Sequence, residues 1–222
     1  MTESNEIVVG HVEAAVHGRF LLRAVEGAAP LLVGFHGYGY GAESILQAML
    51  GIPATSDWHV ASIQALHPFY NRRTREVVAS WMTRQDRELA IADNVAYVCK
   101  TLAALAERLE ISGSTVFAGF SQGTAMAYRA AAAVGASCQG VRALVGDVPP
   151  ELADARTWGR PPVLIGRGTE DVLYDETKWE SDEALLEGLG SPVEDCVFVG
   201  GHEWTDAFRR RAGDFLERLV EQ

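Results

Sequence analysis

Short apolar runs alternate with longer stretches of helical spacing along most of this chain, and no other feature limits its fold so strongly. Pro30 to Phe35, Val60 to Leu66, Thr115 to Phe120, Val141 to Val145, Pro162 to Ile165 and Cys196 to Val199 read as strands. Asp86 to Leu109, Gln122 to Val134, Asp175 to Leu189 and Glu203 to Val220 read as helices. In the first of these, Leu89, Ala92, Val95, Val98, Leu102, Leu105 and Leu109 recur at helical intervals, and Ser112-Gly113 stands beyond as a stop signal. Parallel neighbours need crossovers of about this length, so a mostly parallel sheet with helices on both faces is predicted. Residues 7–16 and 19–25 mix polar and apolar positions and read as an antiparallel strand pair joined at His17-Gly18. No repeat or low-complexity linker interrupts the pattern. The 222 residues are therefore expected to form one domain, 1–222, without a large lid domain.

Composition removes several function classes. Thirty acidic residues against nineteen basic ones give a net charge of -11, which repels nucleic acid and anionic membrane surfaces. No unbroken apolar run reaches the roughly 18 residues of a membrane span, so stable membrane insertion is not expected. The acidic, polar start before Ile7-Val8-Val9 lacks the basic and apolar regions of a signal peptide. Cys99, Cys138 and Cys196 are scattered and odd in number, which reads as reduced buried thiols in a cytoplasmic protein. No HExxH or CxxC spacing occurs, so neither a metal nor another cofactor is expected.

In open α/β sheets ligands bind beyond the carboxyl ends of the strands. The chemistry-bearing residues of this chain gather there. Gly119-Phe120-Ser121-Gln122-Gly123 fits G-x-S-x-G between an apolar strand and an alanine-rich helix. That context lets a sharp strand-to-helix turn lift the Ser121 hydroxyl clear of the sheet. The helix start then aims N–H groups at a developing oxyanion, beginning with that of Gln122. A second donor is expected from the glycine-rich loop Gly34-Phe35-His36-Gly37-Tyr38-Gly39. Of six histidines only His202 lies after Ser121, as the chain order nucleophile, acid, base requires, whereas His36 reads as an organiser of its loop. Three carboxylates compete for the role of acid. Asp171, in Gly168-Thr169-Glu170-Asp171, is preferred over Asp147 and Glu170 because its loop directly precedes the strand leading to His202.

These segments resemble the phospholipase/carboxylesterase family, which includes acyl-protein thioesterases and small bacterial carboxylesterases. Phe35-His36-Gly37-Tyr38-Gly39, Gly119-Phe120-Ser121-Gln122-Gly123, Gly168-Thr169-Glu170-Asp171 and Gly200-Gly201-His202 carry the resemblance, with Ser80-Trp81 as a weaker match. It runs from about residue 30 to the C-terminus. It implies an α/β-hydrolase fold, Ser121 as nucleophile, Asp171 as acid, His202 as base, and oxyanion donors at the N–H groups of Tyr38 and Gln122. It also implies esters or thioesters as small-molecule substrates and is compatible with a homodimer. The chain departs from the family at Met82, at Gly123-Thr124, at Val172-Leu173-Tyr174 and at Glu203-Trp204, and these differences bear on the substrate.

Residues 67–85 hold Phe69, Tyr70 and Trp81 together with Arg72, Arg73, Arg75 and Arg84. This stretch reads either as an aromatic, basic wall against an anionic substrate or as a solvated crossover. An open site for modest acyl chains is expected. Two other function classes stand beside the esterase reading: a non-catalytic binding protein on the same fold, and a C–C hydrolase or peptidase using the same three residues.

Overall fold

The computed structural model describes residues 7–220. Seven strands form one sheet in the order β1-β3-β2-β6-β7-β8-β9, and β4 and β5 form a separate hairpin. The ranges are β1 Arg19–Arg23, β2 Ala29–Phe35, β3 His59–Gln64, β4 His67–Tyr70, β5 Val77–Ser80, β6 Ile111–Phe120, β7 Cys138–Leu144, β8 Val163–Gly168 and β9 Val193–Phe198. Five α-helices accompany them: α1 Ala42–Leu50, α2 Arg87–Ala106, α3 Gln122–Val134, α4 Glu176–Gly188 and α5 Asp206–Val220. Within the seven-stranded sheet all pairings are parallel except β1 with β3, and the β4–β5 hairpin is antiparallel. Leu31, Leu32 and Val33 of β2 are almost wholly buried, because a parallel sheet covered on both faces leaves neither side of a central strand to water.

The antiparallel partner of β1 is β3, and residues 7–16 are not a strand. Ile7, Val8, Val9, Val12 and Val16 are exposed. The cause lies at the proposed turn. Gly18 packs against the Tyr97 ring, and the Tyr97 hydroxyl donates to the Arg19 carbonyl at 2.8 Å. The chain therefore enters β1 from over α2 rather than folding back on it. Residue 67–85 is also more ordered than a crossover loop, since it contains the β4–β5 hairpin. α1 had no counterpart among the predicted helices. Ser112-Gly113 falls inside β6, where a bulge shifts its register against β2.

α2 is long and apolar enough to cross a membrane by length and composition, because Ala and Leu raise its average although no unbroken apolar run exists. Here it buries Asn94, Val98, Thr101 and Leu105 and packs against α3. Cys138 is buried as expected, Cys196 is half-buried, and Cys99 is exposed; all three are free.

Candidate active site

The turn between β6 and α3 has the strained form that the sequence predicts. Ser121 sits at φ 52°, ψ -121°, a combination a side chain tolerates only when its surroundings impose it. The surroundings here are close backbone contacts. A Cβ on Gly123 would lie 2.1 Å from the Phe35 carbonyl oxygen, and one on Gly119 would lie 2.4 Å from Thr124 Cα. Neither position has room for a side chain, so β6, α3 and the end of β2 hold Ser121 in place.

His202 follows β9 and Asp171 follows β8. The His202 Nδ1–H donates to Asp171 Oδ2 at 2.8 Å. A carboxylate only accepts, so the bond puts the ring proton on Nδ1 and leaves Nε2 free as a base. The Asp171 side chain is fully buried, and its Oδ1 accepts the N–H groups of Leu173 at 2.8 Å and Tyr174 at 3.0 Å. Its two rivals make no bond to the His202 ring among the described residues, although Asp147 lines the same cavity as Ser121. Asp147 is largely exposed and pairs with Lys178 at 3.5 Å, and Glu170 is exposed. Ser121 and His202 line a common cavity of about 440 Å³ with Gln122, Met82, Val148 and Tyr174. Among the described residues no hydrogen bond joins the Ser121 hydroxyl to the His202 ring. Catalytic contacts of this kind often tighten only with substrate bound.

The loop after β2 lies against the elbow: a Cβ built on Gly37 would stand 3.3 Å from Ser121 Cβ. His36 is buried and organises this loop as expected. Its Nε2 accepts the Ala65 N–H at 3.1 Å, so its proton is on Nδ1, which donates to the Gly37 carbonyl at 2.7 Å. Burial pushes the His36 pKa down and keeps it neutral. The Tyr38 N–H has no acceptor among the described residues. The Gln122 N–H opens α3, where N–H groups have no partner within the helix.

The three aromatic residues expected to form a wall divide. Phe69 and Tyr70 are on the exposed hairpin, with the Phe69 ring 5.6 Å from that of Tyr38. Trp81 is fully buried and donates Nε1–H to the His36 carbonyl at 2.8 Å, so it supports the loop from beneath and does not face a ligand. The Gln122 side chain has a task that the motif did not reveal. Its Oε1 accepts the Trp81 N–H at 2.9 Å and its Nε2 donates to the Met82 carbonyl at 3.0 Å, which ties the hairpin root to the elbow.

A second, smaller and mainly apolar cavity of about 190 Å³ also touches His202. Phe120, Trp204, Tyr40 and Ile45 line it. Trp204 stacks on Phe120 at 6.2 Å and meets Phe208 edge-on at 5.5 Å. The departure from the family pattern at Glu203-Trp204 was the sequence signal for this wall. A larger cavity of about 530 Å³ lies at the opposite, amino ends of the strands between Pro30 and Pro162 and carries no ionisable side chain. Among the described residues, no three His, Cys, Asp or Glu side chains come together to hold a metal ion.

Comparison with known proteins agrees with this architecture. Residues 23–218 match the Phospholipase/Carboxylesterase family profile. No curated protein matches the sequence. Among solved structures, the chain resembles esterase PE8 at 24% identity and TM-score 0.72, over 91% of this chain and 98% of that one. It resembles a phospholipase/carboxylesterase from Dyadobacter fermentans at 19% identity and TM-score 0.71, over 90% of this chain and 97% of that one. Acyl-protein thioesterase 2 from Zea mays matches at 18% identity and TM-score 0.69, over 92% and 100%. At these identities the structural likeness speaks for the fold.

Proposed function

Because the chain belongs to the phospholipase/carboxylesterase family and has the α/β-hydrolase fold, we propose that it hydrolyses carboxylic esters or thioesters through an acyl-enzyme on Ser121. The observation that carries this reading is the 2.8 Å bond from His202 to the buried Asp171, beside a strained Ser121 that opens on the same cavity. In this reading His202 Nε2 takes the Ser121 proton as Oγ attacks the substrate carbonyl. The N–H groups of Tyr38 and Gln122 receive the developing oxyanion. The protonated imidazole then gives its proton to the departing alkoxide or thiolate, and water repeats the sequence to release the acid. Asp171 holds the ring in the required tautomer throughout.

The chain then acts as one hydrolase domain without a large lid, with Phe69 and Tyr70 exposed on the β4–β5 hairpin. The small apolar cavity at Trp204 favours short acyl groups. Three free cysteines and an acidic surface support a reducing, cytoplasmic setting.

The test is covalent labelling by a fluorophosphonate, followed by turnover of p-nitrophenyl esters and acyl thioesters of graded length. Ser121→Ala should abolish labelling and lower kcat by about 10⁶-fold, as loss of a nucleophile does. A folded Ser121→Ala protein that keeps turnover would remove the nucleophile from this scheme. A wild-type protein that binds esters without labelling or turnover would be a binding protein on a hydrolase fold.

A further inference from the structure

A buried carboxylate outside the triad connects the two loops that flank Ser121. Asp182 lies on α4 and is 9% exposed. Its Oδ2 accepts the Val148 N–H at 2.9 Å and the Tyr174 hydroxyl at 2.9 Å. Val148 belongs to the loop after β7, and Tyr174 to the loop after β8. Both residues line the cavity that holds Ser121 and His202. The backbone N–H of Tyr174 donates to Asp171 Oδ1, and Asp171 Oδ2 accepts from His202. One carboxylate oxygen therefore fastens a wall of the cavity to the loop that carries the acid.

From this geometry we propose that Asp182 is a positioning residue: its charged form holds the Tyr174 loop, and through it Asp171 and His202, in working geometry. The inference rests on the esterase reading above.

The surroundings make this charge sensitive to mild acid. Burial is the main cause that pushes the Asp182 pKa up to about 6, and Asp147 adds to it. The Val148 N–H, the Tyr174 hydroxyl and Lys178 act in the opposite direction. The groups facing Asp182 are thus Asp147 from the loop after β7, Lys178 from α4 itself, Tyr174 from the loop after β8, and Tyr128 from α3. Lys178 also donates to the Leu173 carbonyl at 2.8 Å, so it anchors the same loop from outside. The phenols of Tyr174 and Tyr128 are raised by burial, so they stay protonated and Tyr174 remains a donor. Above its pKa Asp182 is a carboxylate, and its two bonds are charge-assisted. Below it, Asp182 is neutral and the same bonds have roughly half the strength. The sign is therefore tight positioning at neutral pH and looser positioning in acid.

The experiment measures the fluorophosphonate labelling rate of Ser121 from pH 5 to pH 8 in wild type, Asp182→Asn and Asp182→Leu. Dividing the wild-type rate by that of Asp182→Asn removes every pH effect that the two proteins share. An amide oxygen accepts both hydrogen bonds but never carries charge. We expect a ratio of about five to ten at pH 8, the worth of one charge-assisted bond over a neutral one, falling toward one at pH 5 with a midpoint near pH 6. Asp182→Leu leaves both donors without an acceptor and should be at least about tenfold slower than Asp182→Asn at pH 8. If the leucine variant does not fold, the asparagine ratio decides alone. A ratio constant across the range would overturn the proposal. So would a ratio of one at pH 8 that drops below one in acid, since that pattern means Asp182 only perturbs His202 through space. Failure of wild type to label at Ser121 at any pH removes the esterase reading itself, so the two failures are distinct.

Discussion

Asp171→Asn is the sharpest perturbation of this site, because the structure dictates which way the amide must point. Asp171 Oδ1 accepts two backbone N–H groups, from Leu173 and Tyr174. Only the oxygen of the replacement amide can satisfy those donors, which leaves its NH₂ aimed at His202 Nδ1. Two donors cannot share a 2.8 Å contact, so the imidazole must move its proton to Nε2 and accept at Nδ1. Nε2 is then unable to take the Ser121 proton. The same logic in serine proteases costs about 10⁴ in kcat, or roughly 5.5 kcal/mol of barrier. The fold should survive, since the two backbone bonds are kept. Asp147→Asn is the matched control: Asp147 is largely exposed and pairs at 3.5 Å with Lys178. An exposed pair of that kind is worth at most about 1 kcal/mol, so activity should stay within about fivefold of wild type. The assay is kcat on the best ester of the graded panel at pH 8, with circular dichroism and a thermal melt on each protein. An Asp171→Asn enzyme retaining more than a tenth of wild-type kcat, or a dead Asp147→Asn enzyme, would refute the assignment of the acid.

Two further outcomes follow from the packing. Trp204→Ala should open the small apolar cavity beside His202, raising kcat/KM for octanoyl relative to acetyl esters by about tenfold, the effect of a few methylene contacts. An unchanged ratio would mean that acyl chains lie elsewhere. Arg142 is 1% exposed, and its three guanidinium nitrogens have no hydrogen-bond partner among the described residues. It lies on the α5 side of β7, the side where Gly140 meets Phe215. Desolvation lowers its pKa to about 9, a measure of how poorly the site suits a cation. Arg142→Met should raise unfolding free energy by about 1–4 kcal/mol in a urea titration, and a loss of stability would show that the guanidinium is doing something this packing does not reveal.

The sheet was legible because its central strands are apolar on both faces, a pattern that few other structures produce. Gln122 to Val134 was read to the residue, since Ser121 fixes its start and its small alanines suit close packing on the sheet. The N-terminal hairpin was misread for a physical reason. Alternation in residues 7–16 records what a segment could do, whereas the Gly18–Tyr97 contact decides where it goes. The β4–β5 hairpin was missed because its tip is built by Asn71, whose Oδ1 accepts the N–H groups of Arg73 and Thr74, and not by a glycine turn. At the site, residue types and chain order pointed to Ser121, His202 and Asp171. Trp81 was misplaced because an aromatic residue near a motif gives no sign of which way it faces. Asp182 did leave a trace: Trp179, Asp182 and Leu186 share helical spacing, so a carboxylate falls on the inner stripe of α4.

The double duty of Gln122 gives the hairpin an uneven freedom to change. At its root, a side chain that grips residues 80–82 belongs to the same residue whose backbone N–H is the proposed oxyanion donor, so displacement of the root would reach the proposed chemistry. At its tip, residues 71–76 fold on themselves through Asn71 and, among the described residues, hydrogen-bond only to one another. A loop of another length or charge could be spliced in there, as lineages or engineers require, and the hydrolytic machinery beneath would keep its alignment.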